Sequence, residues 1–517
     1  MSISLRQTLA PLMRAAASAF DAGDLMAAEP LFREIVSRNP RDHEAWHVLA
    51  LIACRSGRPM EAIGYATQAH RLDSRNPLYL NTLGVASAEA QDFEKAVSWL
   101  KRALKQRPTH AESHYNLGSI YTKLGRLDEA ERSYLRGRQL DPGKAEIANN
   151  LAALYSRAGR YAEALPLLAE ARRRLPNDEA VAINSAIVAL ATEGSAAAIS
   201  GLVSFVARNP DAAAVRAQLA RRLLAEGQFA EGWREYAWRR QAPATELPDD
   251  LSGKRVLLLP DQGLGDQLFF LRFAPSLRKR ASHVAFACPA PLRALLEGTE
   301  AIDELRSATC VASDFDLAIP VGDLPRLLRD TSTPPPLPVT PRQVAEWERR
   351  LASLGSGPYL GITWRAGSKR KIDMDFAFRG EDPLHKEVPI DLLAAAVRGW
   401  KGTIVVLQRN PNEGEIAGFS RELGRSAHDL SMLNDDLPAM CAVLSLIDEY
   451  VGVSNTNMHL RAAVGRPGRV LVPFPPEFRW MSTGGSSPWF PGFVLYRQAA
   501  GRDWQPGLGS LAKNLCC

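Results

Sequence analysis

Small and apolar residues recur every 34 positions along the first half of the chain. Four columns share this period and one register: leucine, the small residue after it, alanine and proline. The leucine pairs are Leu49-Ala50, Leu83-Gly84, Leu117-Gly118 and Leu151-Ala152; the alanines are Ala62, Ala96, Ala130 and Ala164; the prolines are Pro108, Pro142, Pro176 and Pro210. Several columns in one register indicate a structural repeat, and this period is typical of stacked pairs of helices.

The residue types in these columns meet the needs of packed helices. Leucine followed by glycine or alanine lets one helix approach its neighbour closely. The later alanine leaves room for this contact on the neighbouring helix. Prolines near the repeat ends stop one helix or start the next. Gly57, Gly125 and Gly159 lie between the halves of their repeats, where a tight turn needs a residue without Cβ. We predict an all-α solenoid of about six to seven repeats over residues 1–240.

The clearest copy is "AESHYNLGSIYTKLGRLDEAERSYLRGRQLDP". It resembles a tetratricopeptide repeat, and the resemblance extends across residues 9–178 and more weakly to about residue 240. A solenoid of such repeats has a long concave face, and the resemblance implies that this face binds a protein or peptide. The alternative is that the helices serve as a spacer or as a dimerisation device.

After the solenoid the pattern changes to strands that alternate with helices. Short apolar runs such as "RVLLL", "HVAFAC", "YLGITW" and "GTIVVLQ" suit buried parallel strands. Residues 331–341, "TSTPPPLPVTP", are too rich in proline for either element and are predicted to be a linker. We therefore predict two Rossmann-like, doubly wound halves, at residues 252–330 and 342–517, that face each other across a cleft.

Three loops follow predicted strands, where ligands bind in such sheets. The first, "DQGLGDQ", contains Gly263, Gly265 and Asp266. It lacks the third glycine of a dinucleotide fingerprint and the lysine of a P-loop, so those two motifs are excluded. The glycines allow a ligand close to the backbone. Asp266 either takes a proton from an acceptor hydroxyl or caps the following helix.

The other two loops carry groups suited to a diphosphate. In "WRAGSKRK", Arg365 and Lys369 are the preferred donor-binding cations, because such groups offset the charge of a leaving diphosphate. The loop "SNTNMH" brings three hydrogen-bonding residues to a helix start as a phosphate cradle: Ser454, Asn455 and Thr456. His459, on the first turn of that helix, is either a ligand contact or a buried, satisfied histidine.

Composition and net charge limit the kinds of partner that the protein could bind. The chain is 46% hydrophobic and 23% charged, as globular proteins are. A net charge of +6 suits a small polyanion, and no basic block argues for nucleic acid. We find no membrane span, no signal peptide and no metal-ligand spacing among the six cysteines. These features predict a cytoplasmic protein with reduced thiols and without a metal site.

The second half is similar to GT-B glycosyltransferases. It is most similar to the ADP-heptose:lipopolysaccharide heptosyltransferase-like group (glycosyltransferase family 9-like), found in bacteria fused behind tetratricopeptide repeats. The resemblance covers about residues 252–505 and rests on "LLLPDQGLGDQLFFLRFAPSL", "YLGITWRAGS", "YVGVSNTNMHLRAAVGRPGRVLVP" and the closing "FRWM" and "SSPWFPGFVLYRQ". It implies an inverting transfer without metal or cofactor, with a nucleotide-diphosphate sugar as co-substrate and an acceptor, such as a protein, recruited by the repeats.

The same resemblance implies roles for individual residues. Asp266 corresponds to the general base, and Thr456 and His459 lie against the donor diphosphate. The family commonly has an acid followed by Thr or Ser where Ser454 and Asn455 stand here. This departure motivates a first alternative, a non-catalytic protein-binding scaffold with a degenerate GT-B domain. A second alternative is a heptosyltransferase that acts on a glycolipid.

Overall fold

The computed structural model describes residues 3–240, 246–248, 250–328, 336–366 and 386–515 of the chain. Its contacts separate two compact units. The first comprises Met1–Arg157 and Ala162–Pro176, and the second comprises Ala158–Tyr161 and Asn177–Cys517. The first unit is helical where it is described, whereas the second contains further helices and two parallel sheets.

The helix pairs predicted from the 34-residue period are confirmed. Consecutive helices pack against each other from residue 3 to residue 157 and again from residue 179 to residue 236. The helices of the repeat region are α1 (Ile3–Asp21), α2 (Leu25–Arg38), α3 (His43–Arg55), α4 (Pro59–Leu72), α5 (Pro77–Glu89), α6 (Phe93–Gln106), α7 (Ala111–Lys123), α8 (Leu127–Leu140), α9 (Ala145–Arg157), α10 (Tyr161–Arg174), α11 (Glu179–Thr192), α12 (Ser195–Arg208), α13 (Ala213–Ala225) and α14 (Phe229–Tyr236).

Helix packing and turn geometry explain why glycine stands at these repeat positions, as the pattern predicts. A Cβ on Gly118 of α7 would lie 2.7 Å from Cδ1 of Tyr134 on α8, so no larger residue fits without a shift of that buried ring. The turn glycines have left-handed backbone, with φ of 68° at Gly57 and 73° at Gly125. Small residues therefore set both the spacing between the helices and the turns that join them.

The second unit contains two sheets whose strands are all parallel. In the first sheet the order is β3-β2-β1-β4, and in the second it is β10-β9-β8-β5-β6-β7. The strands are β1 (Arg255–Leu259), β2 (His283–Cys288), β3 (Glu304–Ser307), β4 (Leu317–Pro320), β5 (Tyr359–Thr363), β6 (Thr403–Val406), β7 (His428–Asp429), β8 (Glu449–Val453), β9 (Arg469–Val472) and β10 (Val494–Arg497). The sheet of each predicted half is thus present, and parallel order requires helical crossovers between strands.

The helices that accompany these sheets are α15 (Leu264–Phe270), α16 (Ala274–Arg278), α17 (Ala290–Leu296), α18 (Leu324–Leu328), α19 (Pro341–Leu354), α20 (Ile390–Val397), α21 (Glu415–Leu423), α22 (Leu437–Leu446), α23 (Thr456–Ala463) and α24 (Gln505–Leu515). The segment "QLFFLRFAPSLRKR" does not form one continuous helix, because a 3₁₀ turn at Leu271–Phe273 separates α15 from α16. Pro275 explains the break, because proline has no amide hydrogen for the preceding turn.

Of the predicted linker at residues 331–341, residues 331–335 lie outside the described residues, and its last residue, Pro341, begins a helix that the sequence pattern did not reveal. Thr340 caps α19 by accepting a hydrogen bond from the amide of Gln343 at 3.3 Å, and Pro341 is its first residue. Proline suits that position because the first amides of a helix have no intrahelical partner. Trp347 and Leu351 bury the inner face of α19.

Apart from Ala158–Tyr161, the second unit covers the chain from Asn177 onward, whereas the sequence analysis placed the end of the repeat region at residue 240. Packing explains this difference. Trp233 of α14 lies 6.2 Å from Phe270 and 5.4 Å from Phe478, measured between ring centroids. The last helices of the repeat region thus share a core with the α/β part. In the part of the chain that the structure describes, no helix is both long and apolar enough to cross a bilayer.

We predict opposite effects for two Gly→Ala substitutions in the first unit. Gly118→Ala should lower the unfolding midpoint, because the new methyl group collides with Tyr134, and overpacking costs about 1–3 kcal/mol. Gly64→Ala should raise stability by about 0.5–1 kcal/mol, since Gly64 lies in α4 with open space at its Cβ position. Urea unfolding followed by circular dichroism measures both. Equal effects would contradict the packing argument.

Candidate functional site

Two helix starts meet where the two sheets end. Helix α15 follows β1, and α23 follows β8, so both begin at the carboxyl end of a strand. The two helices are in contact. A Cβ on Gly265 would lie 3.0 Å from Cδ2 of His459 and 3.4 Å from Cα of Thr456. Gly265 therefore permits the close approach of α15 to α23, and the first and third predicted loops do come together.

Asp266 is the third residue of α15, and its carboxylate faces two partners. It accepts a hydrogen bond from the amide of Gly263 at 3.2 Å, so the capping interpretation is correct for this contact. It also forms an ion pair with Arg479. Its side chain remains 28% exposed. A carboxylate can cap a helix and still face solvent, so the predicted role of Asp266 as a general base stays a prediction.

Asp266 belongs to a cluster of four charged side chains, which we call the charged cluster: Asp266, Lys386, Glu477 and Arg479. Arg479 contacts Asp266 on one side and lies 3.9 Å from Glu477 on the other. Glu477 is buried and also forms an ion pair with Lys386. Two carboxylates and two cations balance, which is the arrangement that allows charges to remain in a largely buried site.

Aromatic rings and burial set the electrostatics of the charged cluster. The guanidinium carbon of Arg479 lies 4.6 Å from the ring centroid of Phe269 and 4.7 Å from that of Phe478. Burial lowers the pKa of Lys386 to about 8, and the carboxylate of Asp266 acts in the opposite direction. Arg479 is thus held beside Asp266 by packing as well as by charge.

Sequence reasoning missed Lys386, Glu477 and Arg479. Arg479 stands in "FRWM", which contributed to the resemblance, but no spacing there indicates a partner 213 residues earlier in the chain. Lys386 precedes "EVPIDLL" and has no motif around it. For Glu477 and Arg479 a weak signal exists, because both are charged residues next to aromatic ones shortly after a predicted strand.

The predicted phosphate cradle has polar groups that are largely engaged with the protein. Ser454 donates a hydrogen bond to Glu477 at 2.7 Å. Asn455 caps α23 by accepting from the amide of Met458 at 3.2 Å, and its side-chain amide donates to Thr363 at 2.9 Å. Thr456 is the first residue of α23 and is partly exposed. The assignment of these residues to donor binding stays a prediction.

His459 is buried among aromatic rings, with Phe490 at 5.4 Å and Phe269 at 6.2 Å between centroids. Its imidazole makes no hydrogen bond within the described residues. Burial, reinforced by the charges of Arg479, Arg272 and Lys386, holds its pKa well below the usual value of 6.5. His459 is therefore neutral at neutral pH, and can act as a hydrogen-bonding group rather than as a cation.

Arg365, the first of the two predicted donor-binding cations, is engaged inside the protein. The guanidinium of Arg365 is buried, forms an ion pair with Glu415 and donates to the carbonyl of Asn410 at 2.7 Å. These contacts stabilise the end of β5, and they leave Arg365 less available to a diphosphate than the exposed loop cation that the sequence suggested. Lys369 lies outside the described residues. The donor-binding assignment of both residues stays a prediction.

The described residues contain no group of three or more His, Cys, Asp or Glu side chains that could hold a metal ion. The prediction of a reaction without a metal or a cofactor is not tested by this observation and stays a prediction.

Comparison with known proteins confirms the tetratricopeptide repeats. Family models described as tetratricopeptide repeat match residues 13–77 and 109–177, and one described as TPR repeat matches residues 86–125. These matches lie within the region where the 34-residue period was found. The chain is therefore a protein with tetratricopeptide repeats followed by a region that contains parallel sheets.

Individual relatives share part of the chain. Protein FlbA of Caulobacter vibrioides is 29% identical over 333 residues, which cover 57% of this chain and 53% of FlbA. Human protein O-mannosyl-transferase TMTC3 is 32% identical over 74 residues, 14% of this chain and 8% of that protein. A tetratricopeptide repeat protein structure from Parabacteroides merdae is 19% identical with a TM-score of 0.38, covering 46% of this chain and 92% of that chain. The chain thus spans about half the length of FlbA.

We predict that Gly265→Val destabilises the second unit. The added side chain would meet His459 and Thr456 at the contact between α15 and α23, and overpacking of this kind costs about 1–3 kcal/mol. Gly509→Val is the matched control, because Gly509 lies in α24 with nothing within 4 Å of its Cβ position. Thermal unfolding measures both variants. A Gly265→Val protein as stable as the control would contradict the close approach.

We also predict that the ring of His459 is less protonated at pH 5.5 than an ordinary histidine, because its pKa is lowered by burial. An ordinary histidine, with a pKa of about 6.5, would be about 90% protonated there. Because the folded pKa is the lower one, the neutral ring contributes stability that is present above pH 6.5 and is lost as pH falls below it, by at most about 1.4 kcal/mol per pH unit. NMR titration of the histidine rings, with His459→Gln to assign the signal, measures the pKa. A value at or above 6.5 would contradict the burial argument.

Proposed function

We propose that the protein is a glycosyltransferase of GT-B type that moves a sugar from a nucleotide-diphosphate donor to an acceptor recruited by the repeats. The observation that carries the proposal is the meeting of α15 and α23, with Asp266 and His459 on facing helix starts beyond the carboxyl ends of β1 and β8. Ligands of parallel sheets bind at such ends, and helix starts favour anionic groups.

Asp266 acts as the general base in this proposal. Its partly exposed carboxylate accepts the proton of the acceptor hydroxyl while that oxygen forms a bond to the anomeric carbon of the donor. The bond between the anomeric carbon and the diphosphate oxygen breaks on the opposite face, and the diphosphate leaves with the electron pair. The sugar configuration is therefore inverted.

The cations of the charged cluster offset the charge of the leaving diphosphate. Among the described residues, Arg479 forms an ion pair with Asp266, and Lys386 forms one with Glu477. A donor diphosphate would compete with Asp266 and Glu477 for these two cations. Neutral His459 adds a hydrogen-bonding ring without a positive charge of its own.

In this proposal the repeats bind the acceptor and bring it to the site. Tetratricopeptide repeats indicate protein partners, so the acceptor we favour is a protein. Support also comes from FlbA, whose similarity covers 57% of the chain, more than residues 1–240 provide. The similarity to FlbA therefore includes part of the chain beyond residue 240. TMTC3 is named as a transferase, but its similarity is limited to a short stretch of repeats.

A second candidate function is a protein-binding scaffold without catalysis. Two observations favour it. Ser454 stands where the resembling family commonly has an acid, and its hydroxyl is engaged by Glu477. Arg365 is held by Glu415 inside the domain. Under this hypothesis the repeats bind a partner, and the charged cluster serves only to stabilise the contact between the two sheet-bearing parts.

We predict that Asp266→Asn reduces sugar transfer by about 10²–10⁴-fold while donor affinity changes little, because loss of a general base affects the chemical step. Asp314→Asn, on an exposed turn of the same half, is the matched control and should leave transfer unchanged. Transfer is measured with a radiolabelled donor and donor affinity by calorimetry. Full transfer by Asp266→Asn would overturn the assignment of the base.

A separate thermal-shift experiment with UDP-, GDP-, ADP- and CMP-sugars identifies the class of donor. A specific donor at about 100 times its dissociation constant should stabilise the protein by about 2.7 kcal/mol. A response to CMP-sugars alone would contradict the diphosphate donor, and silence across the whole panel would favour the scaffold.

A further inference from the structure

The segment that ends the repeat region, residues 229–240, packs against the loop that carries Asp266. We call it the terminal segment; it consists of α14 and the 3₁₀ turn Ala237–Arg240. A solenoid that only recruits a partner needs no contact with the catalytic loop. The contacts of the terminal segment are instead specific, buried and directed at that loop.

Arg239 is the centre of these contacts. Its guanidinium donates to Asp261 at 3.0 Å from Nε, and to Asp323 at 2.6 Å from Nη1. Asp261 opens the loop after β1, and Asp323 lies in the turn after β4, the neighbouring strand. All three side chains are at most 12% exposed. One arginine therefore ties together the two loops that follow adjacent strands.

The geometry around Arg239 leaves no room for substitution nearby. A Cβ on Gly322 would lie 2.6 Å from Nη2 of Arg239 and 2.6 Å from Oδ2 of Asp261. A side chain at position 322 would displace the Arg239 guanidinium or the Asp261 carboxylate from these positions. Because both carboxylates are buried, removal of the cation would leave two unpaired charges, which is strongly unfavourable.

Aromatic packing reinforces the ion pairs. Trp233 and Tyr236 are buried against Phe270, the last residue of α15, and against Phe478, the residue before Arg479. The hydroxyl of Tyr236 accepts a hydrogen bond from the side chain of Gln262 at 2.5 Å. Gln262 has a φ of 63°, in the left-handed region that a non-glycine residue adopts only when its surroundings hold it there.

We propose that Arg239 is a positioning residue that holds the loop at residues 261–266 in place, so that the terminal segment is a working part of the candidate site. The proposal rests on the proposed function for what Asp266 does, but not for how the loop is held. Arg239 does not touch the reacting atoms; it acts through Asp261 and Asp323. The position of the Asp266 carboxylate then depends on the contacts that the terminal segment makes with this loop.

Hydrogen exchange on the full-length protein tests how the loop is held. In Arg239→Gln, exchange of the Gly263 and Gln267 amides should rise by about tenfold or more, because the loop loses its anchor; tenfold corresponds to about 1.4 kcal/mol of opening free energy. Arg278→Gln is the matched control, since it breaks an exposed arginine–aspartate pair of the same sheet layer. That control should leave both amides unchanged.

Two milder variants keep the test decisive if Arg239→Gln does not fold. Arg239→Lys retains the charge but lacks the fork that reaches two carboxylates, so it should show an intermediate rise in exchange. Tyr236→Phe removes only the hydroxyl that holds Gln262, and should raise exchange in the same loop. Unchanged exchange at Gly263 and Gln267 in the folded variants would overturn the proposal.

Kinetics separate a positioning role from a general loss of stability. We expect Arg239→Gln to lower kcat by about 10- to 100-fold with KM for the donor nearly unchanged, as misplacement of a base does, and Arg239→Lys to recover part of kcat. If exchange rises but wild-type protein neither binds nor transfers any donor sugar, the proposed function fails and the anchoring role of Arg239 stands. If wild-type protein is active and exchange is unchanged in the folded Arg239 variants, the anchoring role of Arg239 fails and the proposed function stands.

Discussion

The close approach of α15 to α23 at Gly265 is the constraint on which the candidate site depends. These two helices belong to different sheet layers and begin at the carboxyl ends of their central strands. Any side chain at position 265 would push against His459 and the backbone of Thr456. Because glycine stands there, the helix that carries Asp266 can pack closely against the helix that carries His459. The glycines of "DQGLGDQ" thus serve helix packing at least as much as ligand access.

A balance of charge makes this contact compatible with burial. Asp266 and Glu477 face Arg479 and Lys386, while aromatic rings cover Arg479. The same surroundings deny a charge to His459, whose pKa is held low by burial and by nearby cations. A site of this kind has an internal counter-ion for each charge. An incoming anion would therefore exchange partners with the protein carboxylates, rather than meet free cations.

The repeat region and the α/β region are less separable than a modular description suggests. The compact unit that contains both sheets also includes the repeat-region helices from Asn177 onward, and Trp233 and Tyr236 of α14 belong to its main core. Arg239 then links this helix to loops after β1 and β4. The last helices of the repeat region therefore have two structural roles: they continue the helical repeat, and they cover the edge of the α/β part beside the Asp266 loop.

The sequence by itself determined the helical repeats, the parallel strands and the position of Asp266 and His459 after strands. These features follow from local periodicity: small residues every 34 positions, short apolar runs and a glycine-rich turn, each readable from neighbours in the chain. Only the tertiary structure decided the partners of the charged groups. Arg479 faces Asp266 from 213 residues away, Glu415 holds Arg365, and Arg239 reaches Asp261 and Asp323. Such pairings depend on which strand ends lie side by side, and no local pattern encodes that neighbourhood.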